Sequence, residues 1–192
     1  MNQILNISCY KFVALPDAED LRQPCLDQAL ARGLKGTILI AEEGINFFLA
    51  GPAAEVHAFV DWLRQDPRFS DLMPKESWSA AQPFRKMLVK VKREIIRMNH
   101  PSIRPAAGRA PAVTPETAKR WLDQGHDDEG RPVVTLDTRN QFEVDAGTFK
   151  NTINWGITKF TEFPDAVQAH LPELQDKTVI SFCTGGIRCE KA

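Results

Sequence analysis

Apolar positions in the first hundred residues follow two rhythms. From Ile4 to Ala14, Ile7, Tyr10, Phe12 and Val13 stand among polar residues, which predicts a strand. From Asp17 to Leu34 the spacing lengthens to one turn of helix. Leu21, Cys25 and Ala29, with Leu26, Leu30 and Leu34, recur at i, i+4, and Gly33 and Gly36 end the pattern. Lys35 to Ala41 reads as a second strand, Glu42 to Asn46 as a turn, and Phe47 to Ala50 as a third strand. Ala53 to Gln65 is a second helix with Val56, Phe59, Val60 and Leu63 on one face, closed by Pro67. Met87 to Ile96 is expected as the last strand, with Met87, Val89 and Val91 alternating against Lys86, Lys90 and Lys92. The order βαββαβ is the ferredoxin-like split-βαβ arrangement, one sheet face covered by two helices.

The rhythm then stops. Asn99 to Pro111 holds Pro101, Pro105, Pro111 and Gly108 without periodicity, so residues 99–112 read as a linker between domains at 1–98 and 113–192. Thr114-Pro115 predicts an N-cap and first helical residue, and Gly125 a stop. Val133 to Leu136 and Thr178 to Phe182 are expected as buried strands, and Ile153 to Trp155 as a short one. Phe163, Val167 and Leu171 mark a helix, and Asn140 with Glu143 fits a capping box. Strands alternating with helices imply a parallel sheet, whose functional groups gather at the carboxyl ends of its strands.

Composition narrows the class. With 43% apolar and 26% charged residues in 192, the chain is an ordinary folded α/β protein. The longest apolar runs, such as Ile38-Leu39-Ile40, fall far short of the ~20 residues of a membrane helix. Met1-Asn2-Gln3-Ile4 opens no secretory signal, and four irregularly spaced cysteines make no disulfide framework, so a reducing cytoplasm is expected. No Cys-x-x-Cys pair exists and the four histidines are scattered, so no metal site is expected.

Charge is uneven beneath a net −1. Residues 71–109 carry nine Lys/Arg against three Asp/Glu, while the flanks are acidic. Arg85, Lys86, Lys90, Lys92, Arg93 and Arg97 make the densest part of this excess. Such a segment serves either as a soluble strand face with a basic linker or as a surface for phosphates.

The chemistry concentrates in Cys183-Thr184-Gly185-Gly186-Ile187-Arg188, directly after a predicted strand. Two glycines let a loop curl with several N–H groups inward, forming an anion nest. Arg188 is expected to begin the next helix, whose N-terminus favours an anion. The arrangement suits a thiolate, a persulfide or another anionic sulfur at Cys183. Cys9 and Cys25 sit in amphipathic elements and read as core, while Cys189 either faces the same pocket or packs beneath the loop.

Asp137-Thr138-Arg139, Glu143, Gly147 and the cysteine loop together resemble the rhodanese domain. Cys183 through Ala192, with Lys35 to Leu39, Ala41 to Asn46 and Pro83-Phe84-Arg85, is more specifically similar to the bacterial rhodanese-domain family of oxygen-dependent tRNA uridine hydroxylases. The resemblance implies an acylphosphatase-like N-terminal domain followed by a rhodanese-like one. It implies conversion of the wobble uridine of tRNA to 5-hydroxyuridine, with molecular oxygen as co-substrate, no bound metal or organic cofactor, and Cys183 required. tRNA as partner tips the basic segment toward phosphate contact. Phe47-Phe48 depart from the Gly-Thr of many relatives. Relatives also continue past the Cys189-Glu190-Lys191-Ala192 segment, so the second domain is expected to be incomplete after its active-site loop and poorly stable. Oligomeric state is left open. The loop taken alone fits a sulfurtransferase carrying a Cys183 persulfide equally well, and a third reading is a non-catalytic RNA-binding module.

Overall fold

The computed structural model describes residues 3–192, so Met1 and Asn2 of the opening segment lie outside it. The chain divides into two compact units, Met1–Ile96 and Arg97–Ala192.

In the first unit the elements run β1 (Ile4–Phe12), α1 (Ala18–Ala31), β2 (Lys35–Ala41), β3 (Gly44–Gly51), α2 (Ala53–Leu63), β4 (Lys75–Ser79) and β5 (Met87–Val91). The sheet order is β4-β1-β3-β2-β5. The first four strands and two helices make the ferredoxin-like unit, but its fourth strand is not the expected one. Lys75–Ser79 fills that place, antiparallel to β1, while the basic strand pairs parallel with β2 at the opposite edge. The sequence Lys-Glu-Ser-Trp-Ser hid β4, because this exposed edge strand buries no alternate apolar row. The basic strand is also shorter than expected. It leaves the ladder after Lys92, whose N–H bonds Ile40 O at 2.8 Å, and Ile95 turns its N–H to the Glu43 carboxylate at 2.7 Å.

Strand β3 starts at Gly44 rather than Phe47, because Glu42 and Glu43 alone form the hairpin turn. Gly36 is required where β2 and β3 approach: its φ is +142°, and a Cβ there would meet Phe48 O at 2.0 Å. One face of the sheet buries Leu5, Ile7, Ile38, Ile40, Phe47 and Leu49 against Cys25 and Ala29 of α1 and Val56, Phe59 and Leu63 of α2. Phe47 and Phe59 meet edge to face at 6.5 Å.

The second unit carries α3 (Pro115–Gln124), β6 (Val133–Asp137), α4 (Gln141–Asp145), α5 (Phe163–Leu174) and β7 (Thr178–Phe182). Thr114 Oγ1 accepts the Thr117 N–H at 3.2 Å, and Gly125 closes α3 in the left-handed region at φ +79°. Strands β6 and β7 pair in parallel, Val133 opposite Thr178 through Asp137 opposite Phe182. The short strand expected at Ile153 is only a single parallel bridge to Leu136. No helix begins at Arg188. Residues 187–191 form turns, closed by one bond from Lys191 N to Arg188 O at 3.0 Å. Among the described residues no helix is long and apolar enough to cross a membrane.

Candidate functional site

The parallel register ends β6 and β7 side by side. Asp137-Thr138-Arg139 therefore emerges next to Cys183, 44 residues later in sequence than Arg139. Thr138 is fully buried and donates both its N–H (3.1 Å) and its hydroxyl (3.0 Å) to Phe182 O, tying the two strand ends together. Its hydroxyl also lies 3.8 Å from Cys189 Sγ. Asp137 is held in place by Arg139, which returns a bidentate contact at 2.9 and 2.7 Å, and by Thr148 at 2.8 Å. Burial alone would raise the Asp137 carboxyl, but these donors and its own Arg139 N–H bond bring it below the usual range. The Arg139 guanidinium in turn lies over the Phe182 ring at 5.6 Å and donates to Gly147 O at 2.7 Å. Both strand ends are thus fixed before the loop begins.

The loop then folds around the sulfur. Gly186, at φ +95°, points its N–H at Cys183 Sγ at 3.0 Å. The Cys189 thiol donates to the same sulfur, and this is the main reason the Cys183 thiol sits below the ordinary range. Burial opposes the shift, and the backbone N–H groups of Cys189 and Arg188 and the Arg188 charge reinforce it. Cys189 is pushed the opposite way, as the donor to a thiolate must be. Of the two roles open to Cys189 in the sequence, the structure gives it the one facing Cys183. The Cys189 thiol, individual N–H groups and the Arg188 charge do what a helix N-terminus was expected to do.

Arg188 and Thr184 do not point freely into the site. Arg188 grips Glu143 with both nitrogens, at 2.6 and 2.7 Å, and Thr184 Oγ1 donates to Glu143 Oε1 at 2.6 Å. The Arg188 bonds hold the Glu143 carboxyl down to about 2. Glu143 also accepts the Asn140 N–H at 3.2 Å, as part of the expected capping box at the start of α4. Sequence reasoning missed Glu143 as a site residue. The available signal was a loop arginine that needs a carboxylate, with Glu143 placed just beyond a strand end. Ile187 is buried beneath the loop, and Gly185 is half-buried within it.

The basic residues are placed differently. Arg85, Lys86, Lys90, Lys92 and Arg93 are all exposed in the first unit, around β5. Arg97 opens the second unit, exposed, with its Nε on Asn99 Oδ1 at 3.1 Å. Among the described residues no three His, Cys, Asp or Glu side chains gather where a metal ion would sit.

The four cysteines differ sharply in environment. Burial pushes Cys9 up to about 11 and Cys25 up to about 12, while Cys183 moves down. At pH 6, iodoacetamide is expected to alkylate Cys183 at least ~10-fold faster than Cys9 or Cys25, as read by peptide mass spectrometry. Equal rates in the folded protein would mean that the donors around Cys183 do not stabilise a thiolate.

Residues 4–95 match the family described as UPF0176 acylphosphatase like domain. A protein of Delftia acidovorans named tRNA uridine(34) hydroxylase is 74% identical over 192 residues, covering 100% of this chain and 73% of the relative. Its namesake in Variovorax paradoxus is 66% identical over the same span, again covering 100% and 73%. Among solved structures, an acylphosphatase from Bacillus subtilis aligns with TM-score 0.35 and 20% identity, over 47% of this chain and 99% of that one.

Proposed function

The chain belongs to the tRNA uridine(34) hydroxylase family, and from that membership we propose that it takes part in converting the wobble uridine of tRNA to 5-hydroxyuridine. In this reading the second unit is a rhodanese-type domain, Cys183 is its reacting group, and molecular oxygen is the co-substrate. One observation carries the assignment of Cys183: its sulfur lies among N–H and S–H donors at the end of a parallel strand.

A thiolate in that position has a defined use on a uracil ring. Its lone pair forms an S–C6 bond, and the C5=C6 pair shifts onto C5 and the C4 carbonyl oxygen. C5 becomes the electron-rich carbon that takes one atom of oxygen. The other oxygen atom leaves as water, with two electrons and two protons from a reductant of the thiol class. Loss of the C5 proton then expels the thiolate and restores the ring. Thr184, Gly185, Gly186, Ile187 and Arg188 act here as the frame that keeps the sulfur anionic. The exposed cations of the first unit supply the phosphate contacts.

The test is modified-nucleoside analysis of tRNA from cells with and without the gene, grown with and without oxygen. Loss of 5-hydroxyuridine on deletion, and in the parent strain without oxygen, is expected. Unchanged 5-hydroxyuridine on deletion, together with thiosulfate:cyanide sulfurtransferase activity in the purified protein, would replace this reading with a persulfide carrier.

A further inference from the structure

The sheet of the first unit buries one face under its helices, and its register defines what stands on the other. Crossing the middle of that second face, the paired residues are Lys75, Ser8, Phe48, Thr37 and Leu88, one from each strand. The rows on either side contribute Tyr10, Asn46, Leu39 and Lys90, and Ser77, Asn6, Ala50 and Lys35. Lys86 and Lys92 flank β5 at its two ends, in phase with Lys90. Two features of this face stand out. Among its described strand positions there is no Asp or Glu, while Lys35, Lys75 and Lys90 lie on it. And Phe48 is the exposed residue of β3, 45% accessible on a strand whose seven other residues are buried.

Burying a phenylalanine side chain ordinarily stabilises a fold, and a central strand is where that is most easily arranged. Here the ring stands at the centre of the face instead. The segments that cross the sheet ends leave it partly open, 45% accessible. Gln82 donates to Ala50 O at 2.9 Å and Ile95 O accepts from the Asn46 amide at 3.2 Å, one on each side of Phe48 along β3. Trp78 gives the contrast within the same sheet. It pairs with Leu5, so it lies on the helix-side face, next in chain to Ser77 and two residues from the acidic Glu76.

A flat apolar ring ringed by lysines, with small hydroxyl residues in its own row, has the chemistry of a stacking platform for an unpaired base with its phosphates on the cations. We infer that this sheet face binds a single-stranded stretch of the RNA substrate, with one base stacked on Phe48 and flanking phosphates on Lys35 and Lys90. The inference rests on the functional reading above for the identity of the polyanion. It goes beyond it in assigning a base-contacting residue and in specifying unpaired rather than duplex RNA. The charge pattern supplies affinity without sequence, and the ring supplies the preference for a free base.

The experiment uses the full chain and a fluorescein-labelled eight-nucleotide uridine-rich RNA, with a duplex of equal length as comparison. Anisotropy is followed across a salt series. Phe48→Ala and Phe48→Leu are expected to weaken single-strand binding about 5- to 150-fold without changing the salt slope, and Phe48→Trp to retain it. Leucine keeps apolar bulk but no π face, so it separates stacking from packing. Lys35→Gln and Lys90→Gln are expected to reduce the salt slope by roughly 0.7 each. Trp78→Ala is expected to bind as the parent does. Phe48 variants within twofold of the parent, equal affinity for duplex, or no binding by the parent at low salt would each overturn the platform. If cells keep 5-hydroxyuridine without the gene while Phe48→Leu still weakens binding, the functional reading fails and the platform stands. If the gene is required while Phe48 variants bind normally, the reverse holds.

Discussion

A Cys183→Ser protein is expected to leave tRNA without detectable 5-hydroxyuridine, below ~1% of the parent level, when it replaces the parent gene in cells. The size of the effect follows from the chemistry. A serine hydroxyl stays protonated at neutral pH, and the loop has no general base placed to activate it: Glu143 is committed to Arg188 and Thr184. The N–H of Gly186 would still find an oxygen to bond, so folding should survive and RNA binding on the first unit should be unchanged. Cys25→Ser, a change in the core of that unit, serves as the comparison for any loss of stability alone. Full 5-hydroxyuridine in the Cys183→Ser strain would remove this residue from the reaction.

The second large effect is expected at Glu143. Its side chain is 17% exposed and that of Arg188 11%, so truncating Glu143 to alanine leaves a nearly buried guanidinium without its counter-charge. Breaking such a pair typically costs about 3 kcal/mol, enough to lower the melting temperature of a domain this small by roughly 10–20 °C. Glu143→Gln keeps the hydrogen-bonding shape and loses the charge, and is expected to fall between the two. The pair also sets an acid limit. Its folded carboxyl is held down to about 2 against the ordinary glutamate value of 4.5, so its contribution is complete above about 4.5 and disappears as pH falls toward 2. Thermal melts from pH 7 to pH 2.5 should therefore show a steep acid limb in the parent and a flatter one in Glu143→Ala. Alkylation of Cys183 at pH 6 should slow in Glu143→Ala, because Arg188 is no longer held beside the sulfur, and to a smaller extent in Glu143→Gln. A Glu143→Ala melt matching the parent at pH 7 would show that the clamp contributes nothing to stability.

How far the sequence foretold these features depended on which kind of residue carried them. Strand β2 was legible to its last residue, because Ile38 and Ile40 alternate into a core and glycine marks its start. Helix α2 was legible for the same reason, through Val56, Phe59, Val60 and Leu63. Strand β4 was not, since an edge strand paired on one side and facing solvent needs only backbone bonds, and Lys-Glu-Ser-Trp-Ser carries no buried row. Its absence moved the basic strand to the wrong edge. At the site, the glycine loop and its cysteine could be read because glycines at a strand end have few other uses. The partner of Arg188 could not, because nothing in local spacing says which carboxylate a long side chain will reach. The helix expected from Arg188 onward was an extension of a motif rather than of a pattern. In the structure the donors around the sulfur are the Cys189 thiol and separate N–H groups of a turn.

The side-chain ties of Thr184 and Arg188 are long in sequence. Thr184 and Arg188 reach back 41 and 45 residues to Glu143, and Thr138 reaches forward 44 to Phe182. Contacts of this separation form late and are lost together, since each must first pay for closing a long loop. The donors to the sulfur are local, from Gly186, Arg188 and Cys189, but the turn that aims them is anchored through Thr184 and Arg188 to Glu143, so the low pKa is expected to depend on the assembled second unit. In a partly melted chain, where those donors are no longer aimed at it, Cys183 is expected to behave as an ordinary thiol, mostly protonated at neutral pH and slow to react. Reactivity is thus coupled to completed folding, and the rate at which Cys183 labels at pH 6 reads out the folded fraction of the unit that carries it.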